Sequence, residues 1–125
     1  MNRQEFVDRL ESFGFPKSEY MILSGGSLLL RGLRESTEDF DLCVSKALAE
    51  RLDLKRCPQD KSGCYVPFEN VQMTANLGSR PFELVDGFQC ETLESILAFK
   101  RRLLRPKDLR DIAVIEAKLN TKAGS

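Results

Sequence analysis

A chain of 125 residues, 42% apolar and 30% charged, has enough material for one domain with a buried core. Nineteen basic and nineteen acidic residues cancel, so no net field draws the chain to a nucleic-acid backbone, which argues against a coating role on DNA or RNA. The absence of histidine removes every mechanism that needs an imidazole base and every zinc site with a His ligand. The longest apolar runs are about four residues, against the ~20 that a membrane helix requires. The first fourteen residues lack the apolar stretch of a signal peptide, so a cytoplasmic protein without membrane contact is expected. Cys43, Cys57, Cys64 and Cys90 show no C-x-x-C spacing and read as reduced thiols.

In chain order, residues 2–13 place Phe6, Val7, Leu10 and Phe13 at helical spacing, with Asn2 as a cap and Gly14 as a stop. After the break at Pro16, the apolar run 20–23 predicts a buried strand entering a tight turn at Gly25 and Gly26. A short helix is expected over 27–33, closed by Gly32, and then a polar loop over 34–38. Residues 39–44 alternate polar and apolar, as a half-buried strand does. Ser45 is placed to cap a helix running to about Leu54, followed by a polar loop over 55–63. Between Cys64 and about Gln89, strands are expected over 64–66, 71–74 and 82–85, with turns at 76–81 and at Asp86 and Gly87. Two helices finish the chain, one from Thr92 to about Leu104 and one from Pro106 to about Asn120. Leu93, Ile96, Leu97 and Leu104 on the first, and Leu109, Ile112, Ala113 and Leu119 on the second, read as packing positions. The fold class is therefore a single α/β (α+β) domain over 1–125, a mixed sheet with helices at both ends.

Strand alternation puts Asp39 and Asp41 on one face, with Phe40 and Leu42 turned to the core. Two close carboxylates on an open face suit a hard cation such as Mg2+, which takes oxygen ligands and shares them with substrate phosphates. Glycines at 25 and 26, flanked by the hydroxyls of Ser24 and Ser27, let a backbone approach a phosphate closely. Lys100, Arg101, Arg102, Arg105, Lys107 and Arg110 cluster within eleven residues. They read either as phosphate-binding groups or as a solvated helix face, with Lys107 and Arg110 paired to Asp108 and Asp111.

In this order and spacing, Ser24–Ser27 and Asp39–Leu42 resemble the glycine and Asp-x-Asp motifs of the nucleotidyltransferase superfamily typified by DNA polymerase beta. Residues 30–37 are similar to the link in the small bacterial members. Residues 99–112 are similar to the C-terminal helix pair of the minimal and abortive-infection toxin types. The resemblance implies a nucleotidyltransferase fold that binds Mg2+ and a nucleoside triphosphate. Its reaction transfers a nucleoside monophosphate to an acceptor hydroxyl and releases pyrophosphate. It makes Asp39 and Asp41 catalytic metal ligands and puts Gly25, Gly26 and Ser27 near the triphosphate. Lys100, Arg105 and Lys107 would neutralise phosphate charge, with Asp108 orienting one of them. The acceptor could be RNA, protein or a small molecule, and a homodimer could build its cleft. Active members carry a third carboxylate on a neighbouring strand. Here that strand, 71–74, offers Gln72 and Thr74, with Glu69 and Glu83 as substitutes from nearby positions. A nucleotide-binding module without turnover, or a toxin–antitoxin interaction partner, is the alternative implied by that difference.

Overall fold

The computed structural model describes residues 1–78 and 80–123. Helix α1 (Arg3–Ser12) opens on a capping box. Asn2 accepts from the Glu5 N–H at 2.9 Å, and Glu5 accepts from the Asn2 N–H at 2.9 Å. Phe6 and Leu10, one turn apart, bury the inner face of this helix. Strand β1 (Tyr20–Ile22) follows, buried throughout, and the chain passes directly into α2 (Ser24–Leu30). The glycines expected in a turn therefore lie in the first turn of a helix, which starts three residues before the expected Ser27 and ends at Leu30.

Strand β2 (Phe40–Val44) leads to α3 (Lys46–Arg51), whose cap is Ser45 accepting from the Leu48 N–H. Strands β3 (Tyr65–Phe68) and β4 (Val71–Thr74) form one hairpin, and β5 (Phe82–Val85) and β6 (Phe88–Glu91) another. Asp86 and Gly87, both at positive φ, make the two-residue turn that suits a tight hairpin. Helix α4 (Leu93–Leu103) ends at Leu104 in the left-handed region. A single 3-10 turn over 106–108 then leads into α5 (Leu109–Ala123).

The six strands form one mixed sheet in the order β3-β4-β2-β1-β6-β5. Strand β1 is antiparallel to β2 and parallel to β6, and β2 is parallel to β4. Phe40, Leu42, Val44, Val71 and Met73 pack with Phe6, Leu10, Leu48 and Leu54 in the larger core. A second core joins Leu28 of α2 to Leu93, Ile96 and Leu97 of α4 and to Ile112 and Ile115 of α5. Helix α2 is thus fixed from two sides, by Leu29 and Leu30 in the first core and by Leu28 in the second. The expected packing roles of Leu104, Leu109 and Ala113 do not hold: all three are exposed, Leu104 at 61% and Leu109 at 56%.

Gly26 is required by this packing. A Cβ there would lie 2.6 Å from the Phe6 ring and 2.8 Å from Ile22 Cγ2, both fully buried. Gly26→Ala is expected to cost about 1–3 kcal/mol through overpacking, read as a lower urea midpoint with an unchanged slope.

No helix among the described residues is long and apolar enough to cross a membrane.

Candidate functional site

The sheet register brings three polar side chains level on one face. Asp41 on β2 pairs with Gln72 on β4, and the Leu23 N–H donates to the Asp41 carbonyl at 2.8 Å. Ile22 pairs with Cys90, so Leu23 is level with Glu91 on β6. Asp41, Gln72 and Glu91 line a cleft of about 680 Å3, together with Ser24, Gly25, Arg34, Asp39, Thr74, Arg80, Lys100, Arg105 and Lys107. The strand begins at Phe40, one residue later than expected. Asp39 is exposed just ahead of it and Asp41 is half-buried within it.

Burial pushes the Asp41 carboxyl up to about 6, and the charges of Asp39, Asp60 and Glu91 add to the rise; Arg34 opposes it. A cation between Asp39 and Asp41 would relieve that repulsion. The donor set fits Mg2+ in the usual manner of one or two carboxylates completed by substrate phosphates. Among the described residues no group of three or more metal-ligating side chains could hold an ion. The buried Thr74 Oγ1, also in the cleft, has no hydrogen-bond partner.

The basic wall is held by two aspartates. Asp108, 1% exposed, accepts from Arg105 Nε at 2.7 Å, from Arg105 Nη2 at 3.1 Å and from Lys100 Nζ at 3.3 Å. The Arg105 guanidinium above all, with Lys100 and the Arg105 backbone N–H, holds its carboxyl well below the usual carboxylate range. Lys100 is 5% exposed and lies 3.2 Å from Asp111 as well, which also meets Arg34 at 3.9 Å. Asp108 and Asp111 thus pair with Lys100, Arg105 and Arg34, not with Lys107 and Arg110 as a solvated helix face would have them. Lys107 stands exposed at the cleft edge.

The glycine segment divides. Ser24 and Gly25 reach the cleft, Ser24 at φ 49° with its N–H donating to Glu91 Oε1 at 2.9 Å. A Cβ on Gly25 would lie 2.5 Å from Arg34 Nη1 and 3.2 Å from Thr37 Oγ1, so the glycine makes room for the guanidinium. Gly26 and Ser27 are turned elsewhere, which corrects their expected place beside a triphosphate. Gly26 packs on Phe6 and Ile22. Ser27, fully buried, donates to the Glu91 carbonyl at 2.8 Å.

Of the acids considered as a third carboxylate, Glu83 is paired with Arg31 at 3.4 Å on the edge strand, and neither it nor the exposed Glu69 lines the cleft. Gln72, one of the two site-facing positions that the strand alternation predicts, occupies the position beside Asp41. Glu91 does line the cleft, but its carboxylate already accepts from the Ser24 N–H, from Ser95 Oγ at 2.8 Å and from Arg80 at 3.4 Å. Sequence reasoning missed Arg34, Arg80 and Glu91. The alternation of Phe88, Gln89, Cys90 and Glu91 is the signal that could have shown the strand ending in Glu91.

No family model, no curated protein and no solved structure matches this chain.

Proposed function

We propose that the cleft binds a nucleoside triphosphate with Mg2+ and transfers its nucleoside monophosphate to an acceptor hydroxyl, on a fold of the nucleotidyltransferase type. The observation that carries this reading is the convergence of Asp39 and Asp41 with Lys100, Arg105 and Lys107 on one open cleft. Phosphoryl-type transfer needs little covalent chemistry from the protein. It needs positioning and compensation of negative charge. Asp39 and Asp41 would hold Mg2+, which when bound supplies charge neutralisation at the phosphates. Lys107 and the loosely paired Arg34 are free to turn to phosphate oxygens. Lys100, locked between Asp108 and Asp111, acts as a fixed positive charge beneath them. Ser24 offers a hydroxyl to the same cleft, and Gly25 makes room there for the Arg34 guanidinium.

Calorimetric titration with each of the four nucleoside triphosphates tests the reading. Heat of binding is expected with Mg2+ present. It is expected to vanish with a chelator and in the Asp39→Asn/Asp41→Asn double variant. Unchanged binding in that variant would overturn the assignment of the acid pair.

Gln72 beside Asp41 favours a second reading, in which the same site binds nucleotide without turnover and the protein acts through a partner, as in a toxin–antitoxin pair. Gln72→Glu separates the two. Gain of labelled-nucleotide transfer in that variant alone would assign the natural protein to binding.

A further inference from the structure

Among its charged and hydroxyl groups the cleft holds one flat apolar side chain. Seven large hydrophobic side chains are exposed among the described residues, and of these only Phe99 lines the cleft. No other aromatic residue lines it. Phe99 is 43% exposed and belongs to neither of the two cores, so the packing of the fold does not account for its ring.

Helix α4 builds the setting of that ring. Phe99 directly precedes Lys100, the buried charge held between Asp108 and Asp111. Ile96 and Lys100 turn into the protein, while Phe99 stands at the rim of the cleft. The Arg102 guanidinium, about one turn further on, lies 5.6 Å from the centre of the ring. Arg102 does not line the cleft, so it backs the ring from the side away from it. A side chain supported in this way loses less freedom when a ligand covers it.

We propose that Phe99 is the base-binding residue of the cleft, and that stacking on its ring makes the site take purine nucleoside triphosphates in preference to pyrimidine ones. The proposal rests on the reading of the cleft as a nucleotide site. It assigns the end of the ligand that the phosphate-binding groups leave unassigned. A nucleoside triphosphate has a charged end and a flat end. The acid pair and the cations answer the first, and Phe99 alone offers an aromatic face to the second. Every base has a π-face, so stacking discriminates by strength and area, and a two-ring purine covers more of the phenyl ring than a pyrimidine does.

The chain contains no tryptophan, so Phe99→Trp introduces a single indole reporter at the site. With Mg2+ present, ATP and GTP are expected to quench its emission, and CTP and UTP to do so only at higher concentration. Tripolyphosphate, which has no base, should bind without quenching. Calorimetry with ATP and with tripolyphosphate then compares the parent with Phe99→Ala, a substitution suited to an exposed helical position. The ratio of ATP affinity to tripolyphosphate affinity should fall at least about fivefold in Phe99→Ala and be retained in Phe99→Tyr. An unchanged ratio in Phe99→Ala would overturn the assignment of Phe99 and leave the nucleotide site standing. Equal affinity of the parent for purine and pyrimidine triphosphates would overturn the preference in the same way. If neither ATP nor tripolyphosphate binds the parent, the nucleotide reading fails and the proposal falls with it.

Discussion

Asp41→Asn is expected to make the protein more stable at pH 7 and unable to bind Mg2+ with nucleotide. The folded protein holds the Asp41 carboxyl at about 6, above its ordinary value, chiefly through burial and then through repulsion from Asp39, Asp60 and Glu91. A raised carboxyl means that the folded state binds more protons than the unfolded chain between the ordinary value and about 6. Stability therefore falls as pH rises through that window and stays low above it. The asparagine variant never carries the charge. Its gain at pH 7 is about 2 kcal/mol, reduced from the full shift because the side chain is partly solvated, and it disappears near pH 4. Urea midpoints at the two pH values measure this. The proposed function requires the opposite effect on binding, with loss of at least about a hundredfold in affinity for the Mg2+ complex, since one of only two carboxylate ligands is gone. Nucleotide with Mg2+ at about 100 times its dissociation constant would raise the parent's stability by about 2.7 kcal/mol and the variant's by no more than about 0.4 kcal/mol. Opposite signs on stability and binding are what a functional carboxylate gives and a structural one does not.

Asp108→Ala is expected to produce the largest loss of stability of any single change in the basic wall. It removes the acceptor for Lys100 and for the Arg105 guanidinium, and leaves the Lys100 ammonium, nearly fully buried, with Asp111 alone. Breaking a buried pair from one side costs about 3–5 kcal/mol, which lowers the melting temperature by roughly 10 °C or more in a domain of this size. The double variant Lys100→Met/Asp108→Leu should recover part of that loss, because removing both charges also removes their desolvation cost. Its nucleotide binding should not recover, since the fixed charge beneath the phosphates is absent. The depressed Asp108 carboxyl gives stability that is present above its ordinary value and lost as pH falls below about 4. Acid unfolding of the parent should therefore begin in that range, and the double variant should show less of it.

The parts of the fold that were legible in the sequence are those where local pattern and burial agree. Asn2 announces the first helix, Ser45 the third, and Thr92 the fourth. Val71–Thr74 shows its alternation without interruption, so Gln72 and Thr74 could be given the outward face; that this strand lies beside Asp41 was an expectation of the family resemblance, and the β2–β4 register pairs Asp41 with Gln72. The glycine segment was misread because Gly25 and Gly26 look like turn residues. Their reason is tertiary: each makes room for a distant side chain, Arg34 in one case and Phe6 in the other. Nothing local encodes that. Glu91 escaped for a related reason. It lies 50 residues beyond Asp41 in sequence, and only the parallel pairing of β1 with β6 brings it level with the site. Lys100, Asp108 and Asp111 could be named from the sequence, but which cation each aspartate holds depends on how α4 and α5 cross.

On the proposed function, a divalent cation sits between Asp39 and Asp41 when nucleotide is bound. Paramagnetic broadening of backbone amide signals by substoichiometric Mn2+ in the presence of a nucleoside triphosphate tests it most directly. The signals of Gly25, Phe40, Asp41 and Gln72 are expected to be lost, with those of β5 retained, and no such loss is expected in the Asp39→Asn/Asp41→Asn variant. Broadening confined to exposed acids remote from the cleft, such as Glu50 and Asp53, or the same broadening in the variant, would contradict it.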